Sequence, residues 1–188
     1  MKRVLFFLAF CSTVALEATA QGGAASGGSP SLKRSPFQKD TIPSGLPIFT
    51  IHQPDSSLFT SSNLPARKPV LIGYIDPTCG HCMLEAMMLQ SQADSLGDLQ
   101  MVLVAAKKDG LADLIKTIDW KGYKNLHIGY EEDYKLYEAL GLKGPVPFNA
   151  WYDRKGRLVH TGVQDFDLKK LKAWVFSQQT STETLAKP

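Results

Sequence analysis

The stretch that decides the fold of this 188-residue chain is Asp76-Pro77-Thr78-Cys79-Gly80-His81-Cys82. An apolar, β-prone run, Val70-Leu71-Ile72-Gly73-Tyr74-Ile75, precedes it, and a run that predicts a helix follows from Met83 to about Leu96. Two cysteines therefore lie where a strand passes into a helix. The free N–H groups and the positive end of the helix dipole at this position favour a thiolate over a thiol. Thiol–disulfide exchange needs such a pair, because a thiolate attacks a disulfide and a second thiol resolves the mixed disulfide.

A strand, a Cys-x-x-Cys motif and a helix in this order resemble the thioredoxin superfamily. The tetrapeptide Cys79-Gly80-His81-Cys82 is that of the protein disulfide isomerases, and an expected N-terminal hairpin resembles the TlpA-like branch of exported thioredoxin-like reductases, the redoxin domains. The resemblance covers roughly residues 46–178. It implies an α/β, thioredoxin-like three-layer fold, with a central mixed β-sheet flanked by helices and an N-terminal β-hairpin. It implies no organic cofactor.

Composition predicts one ordinary globular domain, since 44% of the residues are hydrophobic and 21% are charged. The net charge of +3 is small and scattered. No cluster of Arg and Lys is interleaved with aromatic residues, so nucleic acid is not an expected partner.

The N-terminus has the pattern of a secretory signal peptide over residues 1–20. Lys2-Arg3 form a charged region, residues 4–16 are mostly apolar, and Ala18-Thr19-Ala20 is a small-x-small cleavage site. Cleavage near Ala20 would place the protein in the periplasm or cell envelope. One alternative is an uncleaved segment that tethers the chain to a membrane. Lipid attachment at Cys11 is disfavoured, because Phe10 precedes it where a small residue is needed.

A Gly/Ser-rich linker is expected over residues 21–45. After cleavage, Cys79 and Cys82 are the only cysteines left. The loop that they would close is too short to stabilise the fold much, because that effect grows with loop length. Tetrahedral zinc needs four ligands, and the chain's four histidines lie at no recognisable ligand spacing, so no metal site is expected.

Periodicity predicts the remaining elements of a thioredoxin-like domain at residues 46–178, followed by a polar tail at 179–188. A hairpin of residues 48–52 and 58–60 opens the domain, and Gly97 is expected to cap the helix after the cysteines. The later elements are a strand at 99–106, a helix at 111–118 capped by Asp109, a strand at 126–128, a helix at 131–140, a hairpin at 148–160 and a closing helix at 166–178. Alternating strands and helices imply a mainly parallel sheet.

Gly144-Pro145-Val146-Pro147 is the second landmark. The spacing from Pro147 to Asp153 resembles the thioredoxin segment in which a cis-proline precedes a strand that ends in Asp-x-x-Gly. The resemblance makes Pro147 the candidate cis-proline of a substrate groove. There the backbone of Val146 would pair with an extended substrate segment.

The two cysteines are expected to play different roles. Cys79 precedes the helix, which makes it the attacking nucleophile, and Cys82, one turn in, is the resolving thiol. His81 between them is expected to stabilise the Cys79 thiolate. The alternative is a solvent-facing histidine with little effect.

Glu85 is the last candidate site residue. TlpA-like reductases often carry a Glu three residues after the second cysteine, and the resemblance implies a role in proton transfer. The buried acid usual in thioredoxins, six residues before the first cysteine, is replaced here by Gly73, and the usual Trp before that cysteine by Thr78. The alternative is a solvated glutamate on a helix.

These observations predict an exported thiol–disulfide oxidoreductase, acting as a reductase on cysteine-containing exported proteins and coupled to an unidentified upstream redox partner. A disulfide oxidant or isomerase is the alternative within enzymes. A metal-binding or interaction module on a thioredoxin scaffold is the alternative from another class. A peroxiredoxin is disfavoured, because Asp76 stands where that class needs a Thr.

Overall fold

A computed structural model of the protein describes residues 44–183, with side chains through residue 179. The predicted signal peptide, all but the last two residues of the predicted linker and the end of the predicted polar tail lie outside the described residues. Between residues 44 and 183, no helix has both the length and the apolar character needed to cross a membrane.

The described chain alternates strands and helices. The strands are β1 (Thr50–His52), β2 (Leu58–Thr60), β3 (Val70–Ile75), β4 (Gln100–Ala105), β5 (Leu126–Tyr130), β6 (Phe148–Tyr152) and β7 (Leu158–Val163). The helices are α1 (Gly80–Ser91), α2 (Lys108–Thr117), α3 (Lys135–Ala139) and α4 (Leu168–Glu183), and a short 3-10 helix spans Ser61–Asn63.

The strands form one mixed sheet in the order β2-β1-β5-β4-β3-β6-β7. Strands β3 and β4 pair in parallel, with Ile72 opposite Val102, and every residue of both strands is buried. On its other side β3 pairs antiparallel with β6. A continuous apolar run suits a strand covered on both faces, and β3 therefore occupies the interior of the sheet. The loop that carries the cysteines leaves from its carboxyl end.

The core is divided by the sheet into two layers of buried side chains. Leu71 and Ile75 of β3 face a cluster that includes residues of α1, α2 and α4. Ile72 and Tyr74 face the opposite cluster, which includes α3 and the first hairpin. This alternation follows from the two-residue period of a strand. The predicted three-layer architecture, with a mixed sheet and an N-terminal hairpin, is confirmed. The prediction of a mainly parallel sheet is wrong, since four of the six strand pairings in the described chain are antiparallel.

Helix α1 ends earlier than predicted. It stops at Ser91, and residues 92–98 form turns, so Gly97 is not its C-cap. The apolar stripe predicted from the spacing is nevertheless buried along its whole length. Its members, from the helix and the turns after it, are Cys82, Ala86, Leu89, Ala93 and Leu96.

Helix α2 begins earlier than predicted. Its N-cap is Lys107, in an extended conformation, and Asp109 lies in the first turn. The prediction that Asp109 caps this helix is therefore wrong. A negative side chain in the first turn still interacts favourably with the helix dipole.

Helix α3 begins at Lys135 rather than at residue 131. Tyr134 before it is left-handed, with φ 55°. Buried Glu131 lies outside the helix, where its carboxylate accepts hydrogen bonds from the backbone N–H of Leu136 at 2.7 Å and of Tyr137 at 2.8 Å. The hydroxyl of Tyr74 on β3 donates to the same carboxylate at 2.9 Å. Glu131 thus ties the start of α3 to the central strand.

The boundaries of the domain extend slightly beyond those predicted. Helix α4 runs to Glu183, so the first residues of the predicted tail are helical. The last two residues of the predicted linker pair with the sheet: the carbonyl oxygen of Ser44 accepts from the N–H of Leu158 at 2.8 Å, and Gly45 bridges to Arg157.

Candidate active site

The loop between β3 and α1 holds Cys79 in place through Asp76. One carboxylate oxygen of Asp76 accepts from the backbone N–H of Thr78 at 2.9 Å and from its hydroxyl at 2.7 Å. The carbonyl oxygen of Asp76 accepts from the N–H of Cys79 at 2.9 Å. The two hydrogen bonds from Thr78 also lower the pKa of the Asp76 carboxyl. The side chain of Asp76 thus serves the loop by fixing its turn.

Cys79 is the N-cap of α1, with an extended backbone. Its side chain is partly exposed, and its thiol is free. The nearby backbone N–H of Cys82, followed by the thiol of Cys82, lowers the pKa of Cys79. The pKa falls because hydrogen bonds at a helix N-terminus stabilise the thiolate more than the thiol.

Cys82 lies one turn further along the helix and is fully buried. Burial raises the pKa of its thiol to about 12, because the thiolate loses its solvation. The backbone N–H of Asp76 donates to the Cys82 sulfur at 3.3 Å. The two cysteines therefore differ in access and in acidity in the sense that the sequence predicts for an attacking and a resolving thiol.

The loop before β6 lies beside Cys79. The peptide bond between Val146 and Pro147 is cis. The carbonyl oxygen of Val146 is 3.9 Å from the sulfur of Cys79. The fold thus brings the two sequence landmarks together, although 67 residues separate them.

His81 is exposed at the start of α1. Its backbone N–H also lowers the pKa of Cys79, by a smaller amount than the two groups of Cys82. The predicted stabilisation of the thiolate by the imidazole of His81 remains a prediction.

Glu85 is buried, with 2% of its surface exposed, so the alternative of a solvated glutamate is wrong. Among the described residues, neither carboxylate oxygen has a hydrogen-bond partner. Burial raises the pKa of this carboxyl to about 7. The Glu85 carboxyl therefore changes its charge near neutral pH. It lies three residues after the resolving cysteine, on the same flank of the helix.

Glu85 and Gln90 lie on different flanks of α1. Gln90 lies five residues on, toward the opposite flank, where its side-chain oxygen accepts from the N–H of Asp119, just after α2. Glu85 therefore points away from α2. On β6, Asn149 and Trp151 share the sheet face covered by α1, since successive strand residues alternate.

Asn149 is a buried polar residue that sequence reasoning missed. It is fully buried, and neither atom of its side-chain amide has a partner within the described structure. It pairs across the sheet with Gly73, the position of the usual thioredoxin acid. A methyl group added at Gly73 would contact two leucine side chains and no polar atom. Glu85 and Asn149 are thus two buried side chains without hydrogen-bond partners in the described structure. The signal for Asn149 in the sequence was an Asn within the apolar run of β6.

Gln164 is a second residue that sequence reasoning missed. It follows β7, and its side-chain amide donates to the carbonyl oxygen of Val146 at 3.1 Å. An exposed glutamine after a strand carries no sequence signal of such a contact.

Metal ligands do not gather at the dithiol or elsewhere in residues 44–183, where no group of three or more His, Cys, Asp and Glu side chains could hold an ion. A cavity of about 420 Å³ opens at the first hairpin, lined by residues 46–50 and 60–62. It contains no titratable side chain and belongs to a different part of the sheet from the cysteines.

No protein-family model matches the sequence, and no curated protein matches it. Solved structures do share its fold. DsbF of Mycobacterium tuberculosis superposes with a TM-score of 0.59 at 20% identity, covering 73% of this chain and 99% of the other. A secreted M. tuberculosis disulfide oxidoreductase homologous to E. coli DsbE gives 0.54 at 19% identity, covering 69% and 95%. StoA from Bacillus subtilis gives 0.53 at 16% identity, covering 70% and 98%. The chain therefore has a thioredoxin-like fold.

Proposed function

We propose that this chain is an exported thiol–disulfide oxidoreductase that reduces disulfides of other exported proteins through Cys79 and Cys82. The observation that carries the proposal is the inequality of the two thiols. Cys79 is partly exposed and has a lowered pKa, whereas Cys82 is fully buried and has a pKa of about 12. The fold shared with disulfide oxidoreductases supports the same chemistry.

The reaction begins with the Cys79 thiolate. It attacks one sulfur of a substrate disulfide, which breaks the S–S bond, forms a mixed disulfide and releases the other substrate sulfur as a thiolate that takes up a proton. Cys82 then loses its proton and attacks the sulfur of Cys79, which releases the second substrate thiol. Two electrons pass to the substrate, and the enzyme leaves as a Cys79–Cys82 disulfide. An upstream dithiol partner must reduce that disulfide before the next turnover.

The second step needs a base, since a thiol with a pKa near 12 holds its proton at neutral pH. Glu85 is suited to this role, because its pKa of about 7 lets it take and return a proton near neutrality. We assign Glu85 as the group that accepts the Cys82 proton.

Export and partners rest on the N-terminal pattern. The charged, apolar and small-x-small segments of residues 1–20 support cleavage after Ala20. One of the similar structures is itself described as secreted. Its substrates would be cysteine-containing proteins in the same compartment. The mass of the mature protein from the native host tests this, since it should begin at Gln21.

A disulfide oxidant or isomerase is the second candidate. The specific observation in its favour is the lowered pKa of Cys79, because a stabilised thiolate favours the reduced enzyme and makes its disulfide more oxidising. His81, which belongs to the tetrapeptide of the disulfide isomerases, would also make the disulfide more oxidising.

The assignment of roles is tested by trapping. Cys82→Ser should accumulate a mixed disulfide through Cys79 when incubated with a disulfide-containing protein such as insulin, because the resolving thiol is gone. Cys79→Ser is the matched control and should trap nothing, since buried Cys82 cannot reach the substrate. Mass spectrometry of the isolated adduct identifies the linked cysteine. Adducts through Cys82 alone would overturn the assignment, and no adduct in either variant would overturn the function.

A further inference from the structure

Gln164 connects the end of β7 to the cis-proline loop. Its backbone is left-handed, with φ 53°, a conformation uncommon for a residue other than glycine. The N–H of Gln164 donates to the carbonyl oxygen of Pro147 at 2.8 Å. This bond continues the pairing of β6 with β7, in which Phe148 faces Val163, by one further residue. The left-handed backbone turns the chain at this point, beside the loop.

The side chain of Gln164 reaches the residue before Pro147, whose carbonyl oxygen lies beside the sulfur of Cys79. Its amide nitrogen donates to the carbonyl oxygen of Val146 at 3.1 Å, and the same oxygen is 3.9 Å from the sulfur of Cys79. Gln164 itself is exposed. The side chain can therefore swing away into water at the cost of little more than this hydrogen bond.

We propose that Gln164 is a gate on the substrate groove, whose amide occupies the backbone acceptor that an extended peptide substrate must use. The inference rests on the proposed function. A peptide that lies along residues 146–147 offers its own backbone N–H to the Val146 oxygen, as an added strand does. The Gln164 amide imitates that donor and competes with it for the oxygen. A small disulfide without a peptide backbone reaches Cys79 without this exchange.

The gate sets which disulfides react well. Substrates must be extended and flexible enough next to their cysteine to replace the Gln164 hydrogen bond with one of their own. Disulfides inside folded segments, whose backbone N–H groups are already paired, cannot do so. Gln164 is thus a specificity-determining residue for unfolded or extended polypeptides.

Gln164→Asn tests the gate. Asn tolerates the left-handed backbone but is one methylene shorter, so it cannot span the distance to Val146. Gln164→Gly is the second variant, since glycine keeps the same backbone without any side chain. Gln53→Asn is the matched control, because the same chemical change then falls in the first hairpin, at the far side of the sheet from Cys79.

The readout is the single-turnover reaction of pre-reduced protein with two disulfides that share a leaving group. One is a short linear peptide whose cysteine carries a mixed disulfide with 2-mercaptoethanol, and the other is bis(2-hydroxyethyl) disulfide. Both Gln164 variants should lower the half-saturating peptide concentration about two- to tenfold, the range that one hydrogen bond corresponds to. The limiting rate, and the rate with the small disulfide, should match those of the wild type and of Gln53→Asn.

Unchanged or weaker peptide binding in both Gln164 variants would overturn the gate, and so would an equal change with both disulfides. Either result leaves the proposed function standing, because the wild type still reacts. A wild type that reacts with neither disulfide would instead overturn the proposed function.

Discussion

Replacing Glu85 by Gln should change how the stability of the protein depends on pH. Glu85 is buried, and its pKa is raised from 4.5 to about 7. Between these values the folded protein keeps the proton that the unfolded chain has released. Stability is therefore greatest at low pH and falls as pH rises through the window from 4.5 to about 7.

The magnitude follows from the same pKa values. At about 1.4 kcal/mol per pKa unit, the full effect is about 3 kcal/mol, and about 2–3 kcal/mol of it should be lost between roughly pH 5 and pH 8. Glu85→Gln cannot ionise, so this part of the pH dependence should vanish from the variant. Between pH 5 and pH 8, the variant should therefore lose less of its free energy of unfolding than the wild type does.

The assay is urea denaturation of the reduced proteins at several pH values. The difference in free energy of unfolding between wild type and Glu85→Gln isolates the carboxyl, because every other titrating group is common to both. Glu138→Gln, at an exposed position on α3, is the matched control and should leave the pH profile of the wild type unchanged. A difference that stays constant with pH, or that favours the wild type as pH rises, would refute the reasoning.

Two further changes test the thiol pair and the sheet. Cys82→Ala should raise the pKa of Cys79, since it removes the thiol that helps to lower this pKa. The pH profile of the rate of alkylation by iodoacetamide should therefore shift to higher pH, and an unchanged profile would contradict this. Gly129→Ala should destabilise the protein by about 1–3 kcal/mol in urea denaturation, because the overpacked side chain cannot be accommodated without a backbone shift. The added Cβ would lie 2.6 Å from the carbonyl oxygen of His52, whereas at the control Gly144→Ala it meets nothing within 4 Å. Equal stability of the two alanine variants would show that the close approach of β1 to β5 is relieved without cost.

The sequence was sufficient for the features that depend on local order. The place of Cys79 and Cys82 between a strand and a helix follows from residues adjacent in the chain, and so does their inequality. The approach of Pro147 to Cys79 came from a family pattern. No local property of residues 144–147 predicts which other part of the chain they meet.

The errors lie at the boundaries of helices, and at α3 a distant contact decides the boundary. Periodicity extends α3 back to residue 131, but the Glu131 carboxylate binds the first turn of the helix from outside and is itself held by Tyr74 of β3. Asp109 has the chemistry of an N-cap, yet α2 begins at Lys108, ahead of it. For α3, a tertiary constraint outweighed the local preference.

Glu85 shows why part of the site could not be predicted. Helical spacing places it at the border of the buried stripe of α1, where either burial or solvation fits the pattern. Burial depends on which distant parts of the chain cover that flank, and the local sequence does not contain this information. Gln164 is the extreme case, since its contact with Val146 requires both the left-handed turn after β7 and the position of the cis-proline loop.

The reduction potential of the Cys79–Cys82 pair would distinguish a reductase from an oxidant or isomerase. The mature protein would be equilibrated in graded thiol–disulfide buffers, alkylated, and its free thiols counted by mass. We expect a reversible two-electron titration with a potential near that of thioredoxin, about −270 mV, as a reductase fed by an upstream donor requires. A potential of about −120 to −180 mV would contradict the reductase assignment in favour of an oxidant or isomerase, and the lack of any reversible titration would contradict the redox function itself.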